Sequence, residues 1–489
     1  MRVAPILSAA LLLVGCSRLP AVGPDYVAPQ GSPVAAWSHV AADSAVPGVG
    51  SAVWWEGFGD AKLTELISAA LKGSFELQRA DARLREARAA RRIAAADLLP
   101  AVSAFGEYVR RDPSDTASES PFGPAGTDLR SNYEAGFDAT WEIDIFGGLR
   151  RDYEAATAEI ESAAAFRDGV RLALVSEVVR EYATMRALER RIAIAEQSIT
   201  IQQESFEIIA ARFKAGVSSE LDLTQARTEL ETTRARVPAL RSELVAARFR
   251  LGILVGETTA QIDARLGISP VPGAISVNAP LVPHYPRIDA VDTPSTVLRR
   301  RPDIQLAERE LAAANARIGV AVAELFPRFD LAGAFGYVSG STANLFERES
   351  RSWSFIPGIR WPIFSGGKLL AAVDVATERE RQALAVYEEA VLRALADCEG
   401  AFVAYREETV RGEALRAALG ASERALVLAQ DLYAQGVVDF LRVIDAERTN
   451  FQRADELAQS EQALIVATVA IYKALGLVPT LEGGVPAGS

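Results

Sequence analysis

Histidine, cysteine and methionine are scarce: each occurs twice in 489 residues. His39 and His284 form no His-Glu-x-x-His pattern, and no glycine-rich phosphate loop is present. Pairs such as Glu142 with Asp144 are ordinary for exposed strand faces and helix surfaces. Together these absences argue against an enzyme, and neither a metal nor a cofactor is expected. No extended basic tract offsets the net charge of −12, which argues against nucleic acid as a partner. The apolar run 6–14 is too short to span a bilayer.

That run instead reads as the core of an export signal, residues 1–15, with Arg2 as its positive end. Leu13-Val14-Gly15-Cys16 resembles a bacterial lipobox, making Cys16 the lipidated first residue of the mature chain. Ser17 follows, where Asp would resemble an inner-membrane retention signal, so outer-membrane sorting is expected. Only Cys398 then remains as a thiol, so no intrachain disulfide can form. It lies on an apolar helical stripe and is expected in the core.

What the chain does have is a repeat. Residues 213–256 recur without a gap as 433–476, pairing Gly216 with Gly436, Val217 with Val437, Leu221 with Leu441 and Ala226 with Ala446. Each copy reads as a helix closed by glycine, a tight turn, and a second long helix with a coiled-coil seam. Pro238 is expected to kink the first. Before each copy lies a very long helical stretch, 149–215 and 368–435, on the order of 100 Å at ~1.5 Å per residue. Before each of those the period changes to two: strands are expected at about 101–111 and 132–146, and again at about 328–338 and 352–364. From 132 to 145 one face carries Tyr133, Phe137, Trp141 and Ile143, and the other Glu134, Asp138 and Glu142.

The domain plan is thus a leader at 16–59, a first repeat at 60–256, a Pro-rich connector at 257–293, a second repeat at 294–476 and a disordered tail at 477–489. Four strands alone in lipid would leave two edges unpaired, and a membrane barrel needs about eight or more. The chain must therefore oligomerise, or else the strands form a small soluble sheet packed on helices. Trp and Tyr on the apolar faces favour the membrane.

The segment Leu298-Arg299-Arg300-Arg301-Pro302-Asp303-Ile304-Gln305-Leu306-Ala307-Glu308-Arg309-Glu310-Leu311, continuing through Ala314-Asn315-Ala316-Arg317-Ile318-Gly319 to Leu325-Phe326-Pro327, resembles the TolC-like outer-membrane efflux proteins. It is most similar to their lipoprotein branch, which serves resistance-nodulation-division pumps. Trp141–Gly147, Leu221-Asp222-Leu223 and 436–446 are similar to the same family. The resemblance implies a mainly α protein with a membrane β-barrel: a homotrimer with four strands per protomer in one twelve-stranded barrel, above a periplasmic tunnel of coiled-coil helices. It further implies an outer-membrane location, a passive exit duct for small molecules, a periplasmic adaptor and a proton-driven inner-membrane pump as partners. A closed aperture is carried onto Leu441 and Asp445, four apart on one helix face. Asp222, Asp439, Arg442 and Arg448 are candidate salt links at the tips, and Gly216, Val217, Gly436 and Val437 candidate adaptor contacts. Copy one has Gln225 where copy two has Asp445. The alternatives are a structural coiled-coil lipoprotein without a channel and, less favoured for want of a catalytic constellation, a lipid-anchored hydrolase.

Overall fold

The computed structural model describes residues 20–29, 36–38, 53–111, 119–120, 123–124, 130–267 and 293–479. Cys16 and its export signal lie outside these, as do most of the connector, including His284, and residues 480–489. The helices are α1 (Ala61–Gly73), α2 (Phe75–Ala96), α3 (Gly148–Lys214), α4 (Glu220–Val255), α5 (Thr259–Leu266), α6 (Pro294–Arg300), α7 (Pro302–Ala323), α8 (Lys368–Ala434) and α9 (Phe440–Ala474). The sheet strands are β1 (Ala101–Arg111), β2 (Arg130–Ile143), β3 (Arg328–Ser339) and β4 (Arg351–Arg360). A two-residue ladder, Glu119–Ser120 with Gly123–Pro124, lies between β1 and β2 in sequence. No helix among the described residues is long and apolar enough to cross a membrane.

The chain divides into two compact units. The first holds the residues up to Pro29 with Arg83–Ala163 and Leu306–Tyr387. Its sheet is antiparallel in the order β1-β2-β3-β4. The register aligns Ala104, Phe137, Phe335 and Trp353 in one row across all four strands, and Val102, Ala139, Gly333 and Phe355 in another on the same face. These aromatics are exposed, Trp353 by 73%. The opposite face places Glu107 across from Glu134 and Glu142 across from Asp330, with Asp138 between. Like charges facing each other are destabilising unless water screens them, so the acidic face needs a wet side.

Both hairpins end earlier than the alternating pattern. Strand β2 stops at Ile143, where Ile145 N–H turns back to the Ile143 carbonyl at 2.8 Å and the Asp144 carboxylate takes the N–H of Arg150 at 2.9 Å. Strand β4 stops at Arg360 because Pro362 has no N–H to give the ladder. The repeat shows in detail here: Trp141 donates its indole N–H to the Leu98 carbonyl and Trp361 to the Leu325 carbonyl, both at 3.0 Å, each carbonyl two residues before a proline.

The leader segment 20–29 packs on α3 and α7 in this unit. Val22 N–H bonds to the Phe146 carbonyl, Arg151 reaches Val22, Gly23 and Asp25, and Tyr26 donates to Glu308 over Ala158, Ala312 and Ala313. A Cβ on Gly23 would stand 2.4 Å from the Gly319 Cα, so the backbones touch where glycine ends the Ala314–Gly319 run.

The second unit contains 30–82, 164–305 and everything from Glu388 onward, and holds the main core. The turn Trp54–Phe58 is buried there, with Trp54 stacked on Tyr472 at 4.8 Å. The seam Ala226, Leu230, Val237, Leu240, Leu244, Ala247, Leu251 is buried, and α4 runs on through Pro238 without interruption. The loss of one i→i−4 bond does not break a helix held by so long an apolar face. Cys398 is fully buried and donates its thiol to the Ala474 carbonyl; burial pushes its pKa up to about 11. Arg301 of the Arg-Pro-Asp motif is buried too, bonding the Ala474 carbonyl at 2.9 Å and pairing with Asp303 and Asp397, so it closes the C-terminal end of α9.

Candidate functional site

The two helical tips have the same construction. Gly216 and Gly436 take left-handed φ of 77° and 74°. Around each, the glycine N–H bonds three residues back, to Phe213 and to Tyr433, and the following valine N–H bonds five residues back, to Arg212 and to Leu432. This is the Schellman closure, which answers the last carbonyls of a helix. Val217 and Val437 are left exposed on the turns. Ser219 then caps α4 in a reciprocal box with Asp222, and Asp439 caps α9 by accepting from the N–H of Arg442.

The tips pack together through Ile209, Ala226, Phe440, Val443 and Ile444, with Phe206, Leu223 and Tyr433 at the margin. The Arg212 guanidinium lies 4.7 Å from the Tyr433 ring centre, tying one hairpin to the other. Leu441 and Asp445 fall on the face of α9 turned away from this cluster. Leu441 is 45% exposed and Asp445 half-buried. Asp445 pairs with Arg448, one turn on along the same helix.

The candidate tip links divide accordingly. Of the four, only Arg448 makes an ion pair among the described residues, with Asp445. Asp222 completes the capping box of α4 and Asp439 caps α9, a local use of the carboxylate that the turn sequence demands. Partial burial opposes the charge of Asp222, but the bonds from Ser219 and Ser218 outweigh it and hold its pKa below the usual value. Arg442 contributes its backbone N–H and makes no ion pair among the described residues.

One residue was missed. Glu447 is 5% exposed and accepts a 2.6 Å hydrogen bond from the Ser205 hydroxyl of α3. Burial, with Glu229 of α4 nearby, raises its pKa to about 7, although the Ser205 bond opposes this. It borders a recess lined by Arg190, Ser198, Glu423, Asn450 and Phe451. Part of the signal was available: Val443, Glu447 and Phe451 recur at four-residue spacing, which puts a carboxylate at a seam position.

A family profile described as Outer membrane efflux protein matches residues 66–257 and 293–477. The outer membrane protein OprJ of Pseudomonas aeruginosa is 32% identical over 471 residues, 96% of this chain and 94% of that one. The cation efflux system protein CusC of Escherichia coli K12 is 30% identical over 474 residues, 96% and 97% of the two chains. Among solved structures, the outer-membrane channel OprN superposes with a TM-score of 0.85 at 34% identity, covering 93% of this chain and 98% of that one. The open state of the MtrE outer membrane channel of Neisseria gonorrhoeae gives 0.79 at 27% identity, covering 94% and 99%. With the repeated hairpins, the four-stranded sheet and these matches over nearly its whole length, the chain belongs to the outer membrane efflux protein family.

Proposed function

We propose that three copies of this chain close one twelve-stranded barrel in the outer membrane, and that the assembly is the passive exit duct of a tripartite efflux system. The observation that carries this is the open sheet: one face is exposed and aromatic, the other acidic, and β1 and β4 each have an unpaired edge. Lipid tolerates no such edge, so the strands must find partners in other copies. The count of three comes from the family resemblance. A periplasmic adaptor would grip the exposed turns at Val217 and Val437, and a proton-driven pump would supply the energy.

In this reading Leu441 closes the aperture as an apolar plug, and Asp445 forms a ring of carboxylates behind it. Like charges ~7 Å apart cost ~0.6 kcal/mol per pair in water and ~2.4 at an effective dielectric of ~20. The Asp445–Arg448 pairs offset that repulsion. Leu441→Ala with Asp445→Ala should raise single-channel conductance in planar bilayers. Unchanged conductance would remove the gate from these two residues, and no conductance in any variant would favour the structural lipoprotein. Cys16 as lipid anchor is tested separately by the mass of the mature N-terminal peptide, which should carry acyl chains and lose them in Cys16→Ser.

A further inference from the structure

Arg85, Arg88 and Arg92 recur on α2 at three- and four-residue spacing and so share one face. All three are exposed, and none has an ion-pair partner among the described residues. Their neighbours in the same unit behave differently: Arg150 pairs with Asp144, Arg151 with Asp25, Arg309 with Glu161 and Arg317 with Glu159. A stripe of unanswered arginines is out of place in a chain of net charge −12. On α8, Asp374 and Glu378 are four apart and exposed. Asp374 has no partner among the described residues, and Glu378 has only Arg381 of its own helix.

Topology says where these faces meet. Helix α2 enters edge strand β1 and helix α8 leaves edge strand β4. Wherever β4 of one copy pairs with β1 of the next, α8 of the first must stand beside α2 of the second. The repeat supplies the internal counterpart: α3 leaves β2 and α7 enters β3, and that neighbouring pair is bridged by Arg309–Glu161 and Arg317–Glu159. The match of 99–100 with 326–327 relates α2 to α7 by 227 positions, and α8 follows α3 by 220 over the full length of both helices, with Gly147 and Gly367 in the same left-handed turn, which carries these two bridges to residues 82 and 381 and to residues 90 and 379. On that register Arg88 falls opposite Glu378 and Arg92 opposite Asp374, and Arg85 lies within about one helical turn of Glu378.

We propose that Arg85, Arg88 and Arg92 of one copy dock on Asp374 and Glu378 of the next, a charged seam that sets the register of neighbouring copies. Guanidinium-to-carboxylate geometry suits that task, because the planar fork meets two oxygens at once. The seam rests on the reading that copies of this chain close a barrel, and it names the residues that align them.

Two experiments on the full chain in detergent test it. A double variant, R92C with D374C, treated with a short bifunctional thiol linker, should give covalent dimers and trimers on a non-reducing gel; each single variant should stay monomeric on that gel. Separately, reversing the arginines (R85E, R88E, R92E) should raise the monomer fraction on dilution roughly tenfold, and adding D374R with E378R should restore it. An oligomer that persists with no linking and no response to charge reversal overturns the seam while leaving the barrel reading intact. A monomeric wild-type chain overturns both. If the triple variant fails to fold, the linking experiment, with its two mild substitutions, decides alone.

Discussion

Glu447 is a carboxyl group placed where charge is unwelcome, two residues beyond the proposed gate. Glu229 and Glu423 approach it from α4 and α8, and the Arg190 guanidinium across the recess is engaged by Glu461. Its folded pKa, about 7, lies above the ordinary 4.5, so the folded tip keeps a proton that the unfolded chain has lost. Stability from this group is therefore full below pH ~4.5, falls as pH rises, and levels off above ~7, a loss on the order of 3 kcal/mol. Glu447→Gln should flatten that slope and stabilise the tip at neutral pH. Hydrogen exchange of the α9 amides between pH 5 and 8 reads this directly; identical pH dependence in the two proteins would show that Glu447 does not titrate there. The residue was legible as a seam position, but its burial was not, because only packing against Ser205 decides whether a seam carboxylate escapes to water.

At the scale of the element, the tips are held by backbone geometry more than by ion pairs. A Cβ added at Gly216 or Gly436 would meet nothing within 4 Å, so an alanine there suffers only the left-handed backbone. Gly216→Ala and Gly436→Ala should each destabilise their hairpin by ~1 kcal/mol, measured as faster local exchange at the turn, with the core unaffected. An effect of several kcal/mol would mean that the turns are packed against something in the assembly. Both glycines were readable in the sequence because a Schellman closure has a narrow residue preference. The capping role of Asp222 was less readable, since an acid in a turn can cap a helix or pair across a tip, and only the placement of the N–H groups chooses. The long helices were legible almost to the residue, as α3 and α8 each begin just after a glycine turn and run unbroken to the tip glycine.

For the whole molecule, the sheet register brings together acids that lie far apart in the chain. Glu107, Glu134, Asp138, Glu142 and Asp330 share one face. In the proposed barrel that face lines the water, which predicts a preference for cations. Reversal potentials across a KCl gradient should show it, and Glu134→Gln with Asp138→Asn should weaken it; an anion-preferring wild-type channel would place the acidic face elsewhere. By itself the sequence determined the repeat, the period-two and period-three-to-four segments, the turns and, for strands that lie in lipid, the need for further copies, because these follow from local periodicity and from counting strand edges. Tertiary structure decided which acids share a face, where the strands stop, how Arg301 and Cys398 close on the Ala474 carbonyl, and which side of α9 is buried. Those depend on register and on contacts between residues hundreds of positions apart, about which local pattern carries no information.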